Sequence, residues 1–303
     1  MRGTGTDGET LQRLLRAHAR TFALTLRLLP WDLREPLSIT YLLARASDTI
    51  ADSMSVPLAR RLILLEELKS QLEKWNLGKN SIRAPKFQAW ECTISEAELL
   101  HAIPVLIDSL EIHRDGPRMF RLWLSVLEGQ LFDLRRFVPG ASPLTREELE
   151  HYCFLVAGGV GEAWTQLIAR HYPNILEPGP RELLRMIELG ISYGNGLQMI
   201  NILRDRHVDR DLGRSYLREE DAPAMMALAN TWLDAGRRYC WRLRPGRVRF
   251  ATLIPLRIAL RTLNLIQRNP KESGIKLKRS AVYGSVLQAL PSLVLPWSGN
   301  PAS

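Results

Sequence analysis

Four aspartates at two places in the chain share one spacing. Asp48 and Asp52 close the run Tyr41-Leu-Leu-Ala-Arg45-Ala-Ser-Asp48-Thr-Ile-Ala-Asp52, and Asp205 and Asp209 close Asn201-Ile-Leu-Arg204-Asp205-Arg-His-Val-Asp209. On a helix, side chains at i and i+4 stand one above the other on the same face. Apolar, small runs lead into both pairs (Ile39-Thr-Tyr-Leu-Leu-Ala and Gly196-Leu-Gln-Met-Ile), so each pair is expected on a buried helix, facing inward or into a cleft. Four carboxylates in such a place need counter-charge. Hard divalent cations supply it, and Mg²⁺ held by a few carboxylates together with substrate phosphates suits this donor set. Arg45 precedes Asp48 by three residues, and Arg204 adjoins Asp205. Each arginine is open to two readings: a salt bridge to its own aspartate, or a grip on a polyanion. Either pair alone would read as a solvated helix face. The apolar context and the second pair favour a site for diphosphates bridged by Mg²⁺.

The elements that must position these groups read as helix after helix. Apolar spacing predicts helices over 11–29, closed by Pro30, and over 36–54, with Pro36 in the first turn. Further helices are predicted from Pro57 to 75, and over 95–112 and 117–137. Thr145-Arg-Glu-Glu148 reads as a capping box opening a helix over 146–171. Helices over 181–210, 221–243 and 250–268 follow, with a short one after Ser280. Residues 77–88, 138–143 and 173–180 read as loops, and no alternating strand run or repeat is visible. The expectation is an all-α bundle around a central cavity, a single domain over 1–303 with a polar tail at 1–8 and a short apolar tail at 286–303. Both aspartate pairs fall near helix C-termini, where the carbonyl dipoles also favour cations.

Apolar content of 46% and charged content of 24% are ordinary for a soluble globular protein. The net charge of +9 points to anionic partners. The basic residues are scattered without a long block, which argues against nucleic acid. Cys92, Cys153 and Cys240 are far apart and form no CxxC pair, as in a reduced, cytoplasmic compartment. The first residues lack a signal-peptide core, and no stretch reaches the 18 apolar residues of a spanning helix. The Pro-broken tail from Val286 to Trp297 is suited at most to peripheral membrane contact.

Four ordered motifs resemble the squalene and phytoene synthase family, the head-to-head prenyltransferases, over residues 18–280. The segment from Tyr41 to Asp52 looks like the first aspartate-rich motif, in its squalene synthase form. Gln198-Met-Ile-Asn201-Ile-Leu-Arg204-Asp205-Arg-His-Val-Asp209, then Gly213-Arg-Ser-Tyr-Leu217, resembles the second motif and its flap. Tyr152-Cys-Phe-Leu-Val156-Ala157-Gly158-Gly159-Val160-Gly161 resembles the family's Tyr-Cys…Val-Ala-Gly…Val-Gly segment. His18-Ala-Arg-Thr-Phe22 with Leu26-Arg-Leu-Leu-Pro30 is similar to its N-terminal Ser-Arg-Ser-Phe region.

The resemblance implies an isoprenoid synthase-type fold and a condensation of two farnesyl diphosphates, through presqualene diphosphate, to squalene with NADPH. Dehydrosqualene, hydroxysqualene or phytoene would be the products without that reductant. It implies Asp48, Asp52, Asp205 and Asp209 as Mg²⁺ ligands, and His18, Arg45, Gln198, Asn201, Arg204 and Lys276 as diphosphate contacts. Phe22, Tyr41 and Tyr152 would be the rings beside an allylic cation, since aromatic faces attract cations, with Tyr152 also a candidate general acid/base. Val156, Ala157, Gly158, Val160 and Gly161 would line the prenyl cavity. The glycines cost ~1 kcal/mol each in mid-helix relative to Ala, so either helix–helix close packing or room for a prenyl tail must account for them. A monomer or weak dimer is expected. Ala19 and Thr21 stand where the family has serines, and Val208 where an acid is common.

Overall fold

Apolar residues at helical spacing become helices throughout the computed structural model, which describes residues 8–18, 25–53, 55–76, 82–83, 94–138, 140–176, 179–270, 272 and 274–295. Every regular element among the described residues is helical. The chain's contacts divide it into two compact units, Met1–Arg27 with Trp31–Arg136, and Leu28–Pro30 with Phe137–Ser303.

The first unit holds α1 (Gly8–His18), α2 (Trp31–Asp52), α3 (Leu58–Asn76), α4 (Ile94–His101), α5 (Ile103–Glu111) and α6 (Gly116–Arg136). Thirteen of the twenty-two residues of α2 are buried, too many for one amphipathic stripe, so α2 is the core helix. It packs on α1, α3, α4, α5 and α6. Trp123 Nε1 on α6 donates to Ser47 Oγ (3.3 Å), and Gln130 Nε2 donates to the Ala44 carbonyl (3.1 Å). These bonds fix the rotation of α2 just before its aspartates. The helix begins at Trp31 rather than at 36, so Pro36 lies inside it and removes one backbone bond. The stretch expected as one helix over 95–112 is two, parted at Ala102, where Pro104 sits at the start of α5 without an N–H to give. Residues 19–24 and the expected loop 77–88, apart from 82–83, lie outside the described residues.

The second unit holds α7 (Arg146–Cys153), a π-turn (Phe154–Gly158), α8 (Gly159–His171), α9 (Pro180–Asp211), α10 (Ala222–Arg242), α11 (Arg247–Arg268) and α12 (Arg279–Ala289), with a 3₁₀ turn at Leu290–Leu293. The capping box at α7 is present: Glu148 N donates to Thr145 Oγ1 (3.2 Å) and Thr145 N to Glu148 Oε2 (2.8 Å). The helix expected over 146–171 is interrupted by the π-turn, a departure often found at functional sites. α9 is the hub, packing on α7, the π-turn, α8, α10 and α11. Among the described residues no helix is long and apolar enough to cross a membrane.

Candidate active site

α2 ends on its acids. Asp48 and Asp52 lie in its final turn and a half, and that last turn holds no basic residue. The carbonyl end of a helix dipole is negative, so carboxylates there are unfavourable unless a cation joins them. Part of the compensation is local: Arg45 Nη1 donates to Asp48 Oδ2, and Arg61 Nη1 on α3 donates to the Ala51 carbonyl (2.5 Å). Asp48 remains 37% exposed and Asp52 is exposed, so both can take a further ligand. One turn and more upstream, the Tyr41 hydroxyl donates to the backbone carbonyl of His18 (3.0 Å), bringing two of the expected site residues together. Phe22 lies outside the described residues.

The second pair is built on the last two turns of α9. Arg204 grips Asp205 with two donors, Nε at 2.8 Å and Nη2. That bond to Asp205 holds the guanidinium above its ordinary pKa, against the opposing effect of burial. Both partners are only about two-thirds buried, leaving carboxylate surface free for a ligand. Asp209 is half-buried, and its carbonyl accepts from Leu212 N (3.1 Å) and Arg214 N (2.7 Å) as the chain turns at Gly213, φ +82°. Upstream, Asn201 Nδ2 donates to Gln198 Oε1 (3.4 Å).

Two residues beside this pair were not singled out from sequence. Arg206 is buried; it donates to the Leu203 carbonyl (2.7 Å), to the Pro270 carbonyl and to Glu219 Oε2 (3.3 Å). It ties α9 to the segment that leads to Lys276. Its flanking motif gave it away only as an arginine among charges. Tyr216, in the turn after Asp209, is buried with Tyr152: the hydroxyls lie 3.3 Å apart and the rings 5.2 Å apart. Phe137 packs edge-on against Tyr216 at 4.8 Å. The expected acid/base Tyr152 is therefore one of an aromatic trio. Lys276 is exposed in a cleft of about 740 Å³ lined also by residues of α10 and α11.

The glycine segment needs a correction. A Cβ on Gly161 would fall 1.9 Å from the Gly190 carbonyl oxygen, and one on Gly158 would fall 2.3 Å from Asn195 Oδ1. A Cβ on Gly194 would fall 2.2 Å from the Ala157 carbonyl. The space left by Gly158 and Gly161 is thus filled by α9, and helix–helix close packing accounts for them rather than a prenyl tail. Val156, Ala157 and Val160 are half-buried.

Among the described residues no three His, Cys, Asp or Glu side chains converge on one point. Each aspartate pair offers two hard carboxylates and leaves other positions to phosphates and water, which is how Mg²⁺ is commonly held. The donor set therefore fits Mg²⁺.

An all-α chain with a carboxylate pair at the end of each of two core helices has the isoprenoid synthase fold, as its likeness to solved structures shows. It is similar to TcSQS in complex with the ligand BPH1237, with a TM-score of 0.73 at 22% identity over 94% of this chain and 90% of that one. It is similar also to a dehydrosqualene synthase in complex with a ligand, with a TM-score of 0.65 at 19% identity over 94% and 95%. The squalene/phytoene synthase profile matches residues 15–224, and the chain belongs to that family. The squalene synthase of Gibberella zeae is 27% identical over 301 residues, 89% of this chain and 62% of that protein. The chain spans less than two thirds of the length of such curated relatives.

Proposed function

We propose that this chain condenses two farnesyl diphosphates head to head, through presqualene diphosphate, to squalene, with NADPH as reductant. The observation that carries the reading is the half-exposed aspartate pair at the cation-favouring end of each core helix, both inside the region the family profile matches. Asp48, Asp52, Asp205 and Asp209 would hold Mg²⁺. When bound, Mg²⁺ supplies Lewis-acid charge to the departing diphosphates.

The chain's own residues do the rest. Arg45 and Arg204, now turned to Asp48 and Asp205, can transfer donors to diphosphate oxygens as metal takes over the carboxylates. Lys276, His18, Gln198 and Asn201 extend that grip. The C1–O bond of one substrate breaks, diphosphate leaves, and the double bond of the other attacks the allylic carbon. Loss of a proton closes the cyclopropane, and the hydroxyl pair of Tyr152 and Tyr216 is the route offered for it. Phe22, Tyr41 and Tyr152 are the rings proposed to stabilise the cation, and Val156, Ala157 and Val160 would exclude water. Departure of the second diphosphate and rearrangement follow. Among the described residues no strand leads a Gly-rich turn into a helix, the usual dinucleotide seat.

Incubation with farnesyl diphosphate and Mg²⁺, with and without NADPH, tests the reading. Presqualene diphosphate without NADPH and squalene with it is the expected outcome. A polyene of the same kind in both arms would overturn the reductive step, and no release of diphosphate would overturn the whole.

A further inference from the structure

A seat for a divalent cation needs net negative charge, and the end of α9 does not provide it alone. Over residues 204–211, Arg204, Arg206 and Arg210 stand against Asp205, Asp209 and Asp211, three charges of each sign. Arg206 also precedes Asp209 by three residues, a separation at which ion pairs form along a helix. A guanidinium does not deprotonate to relieve the conflict. Left to the helix alone, an arginine would compete with metal for the second carboxylate.

The structure turns these arginines elsewhere. All three nitrogens of Arg206 donate away from the pair: Nη1 to the Leu203 carbonyl (2.7 Å), Nη2 to the Pro270 carbonyl, and Nε to Glu219 Oε2 (3.3 Å). Arg210 donates through Nη1 to Glu219 Oε1 (3.1 Å) and through Nη2 to His207 Nδ1 (2.9 Å). Glu219 opens the 3₁₀ turn Glu219–Asp221 that leads into α10. Each of its two oxygens thus takes one arginine, and its charge brings the balance to one negative. The arginines differ in kind. Arg206 is buried and bound to two carbonyls, so it is a tie between segments. Arg210 is 51% exposed, so what it brings to the pair is chiefly charge.

We propose that Glu219 is a positioning residue for the metal at Asp205 and Asp209. It holds Arg210 off the pair and supplies the negative charge that lets the two carboxylates take Mg²⁺, without touching the metal itself. The inference rests on the metal reading of that pair given above. A unit charge acts twice as strongly on a dication as on a single charge, and between partly exposed groups salt screens it.

Titration of the full chain with Mn²⁺ as a stand-in for Mg²⁺, following the free ion by electron paramagnetic resonance, tests this without turnover. Asp205→Asn identifies the part of the isotherm that belongs to the second pair. At low ionic strength Glu219→Gln, which keeps the side chain's shape, should weaken that binding about fivefold. In about 0.5 M KCl the loss should shrink below about twofold, whereas a residue that only shapes the turn would cost the same in both. Adding Arg210→Gln to Glu219→Gln should return binding to within about twofold of wild type, because the cation to be restrained is gone. Arg210→Gln alone should tighten binding about threefold, and it decides the matter if Glu219→Gln does not fold. Wild-type binding by Glu219→Gln, a loss indifferent to salt, or a double variant as weak as the single would overturn the proposal while the metal reading stands. A wild-type chain that binds no Mn²⁺ would remove the metal reading, and this inference with it.

Discussion

The two aspartate pairs share a spacing but are supported from opposite directions. Asp48 and Asp52 are the end of α2, and what fixes them lies before them: Trp123 and Gln130 on α6 hold Ser47 and Ala44 from the side. Asp205 and Asp209 are followed by more chain, and what fixes them lies after them: Arg206 binds the Pro270 carbonyl and Glu219. Core packing sets one pair and a polar clasp sets the other. The same carboxylate geometry can thus be reached with unlike supports, and damage to the supports should separate them.

The largest effect should come from the metal proposed for both pairs. Treatment with EDTA should cut Mg²⁺-dependent diphosphate release from farnesyl diphosphate by about a thousandfold or more, and added Mg²⁺ should restore it; release that survives chelation would remove the metal reading from both pairs. Next, Arg206→Met should break the clasp of the second pair alone. Removing the Arg206 donors from the Leu203 and Pro270 carbonyls and from Glu219 Oε2, while Glu219 keeps Arg210, should cost about 2 kcal/mol in denaturant unfolding and raise the Mg²⁺ needed for half-maximal release about tenfold. Arg61→Met on α3 removes one contact to the end of α2 and should cost only about 1 kcal/mol; equal losses from the two would erase the contrast.

A smaller effect separates close approach from backbone conformation. Gly161→Ala must push α8 from α9 and should cost about 2 kcal/mol. Gly213→Ala, at φ +82° with open space around it, should cost nearer 1 kcal/mol, the strain of a left-handed residue. Thermal unfolding of the two variants checks the order. Smallest of all, burial pushes the thiols of Cys153 and Cys240 up to about 12. Raised values mean the unreactive thiol persists throughout neutral and mildly alkaline pH. Iodoacetamide at pH 8 should leave both unlabelled in the folded protein and label both in denaturant, as peptide mass mapping would report.

The all-α fold was legible because helical periodicity and the capping box at Thr145 are local signals, and the structure keeps both. The position of both aspartate pairs at helix ends was legible for the same reason. The π-turn at Phe154–Gly158 was not, because an inserted residue leaves the apolar period nearly intact. Pro36 misled: a proline is expected at a helix start, yet enough of α2 is buried for packing to carry it inside. Gly161 left two readings open that only the position of Gly190 could separate, since no local signal says which helix approaches. Arg206 and Tyr216 act through partners 64 residues away in sequence, Pro270 and Tyr152, and nothing in their neighbourhood announces such contacts.

The central claim is that both pairs serve one metal-dependent departure of diphosphate, and single substitutions at each test it most directly. Asp48→Asn and Asp205→Asn, each folded by circular dichroism, should each lose about a hundredfold or more of diphosphate release at saturating farnesyl diphosphate, with part of the loss recovered at high Mg²⁺. Wild-type release from either variant would contradict the account, because one pair would then be dispensable to the step that both are held to perform.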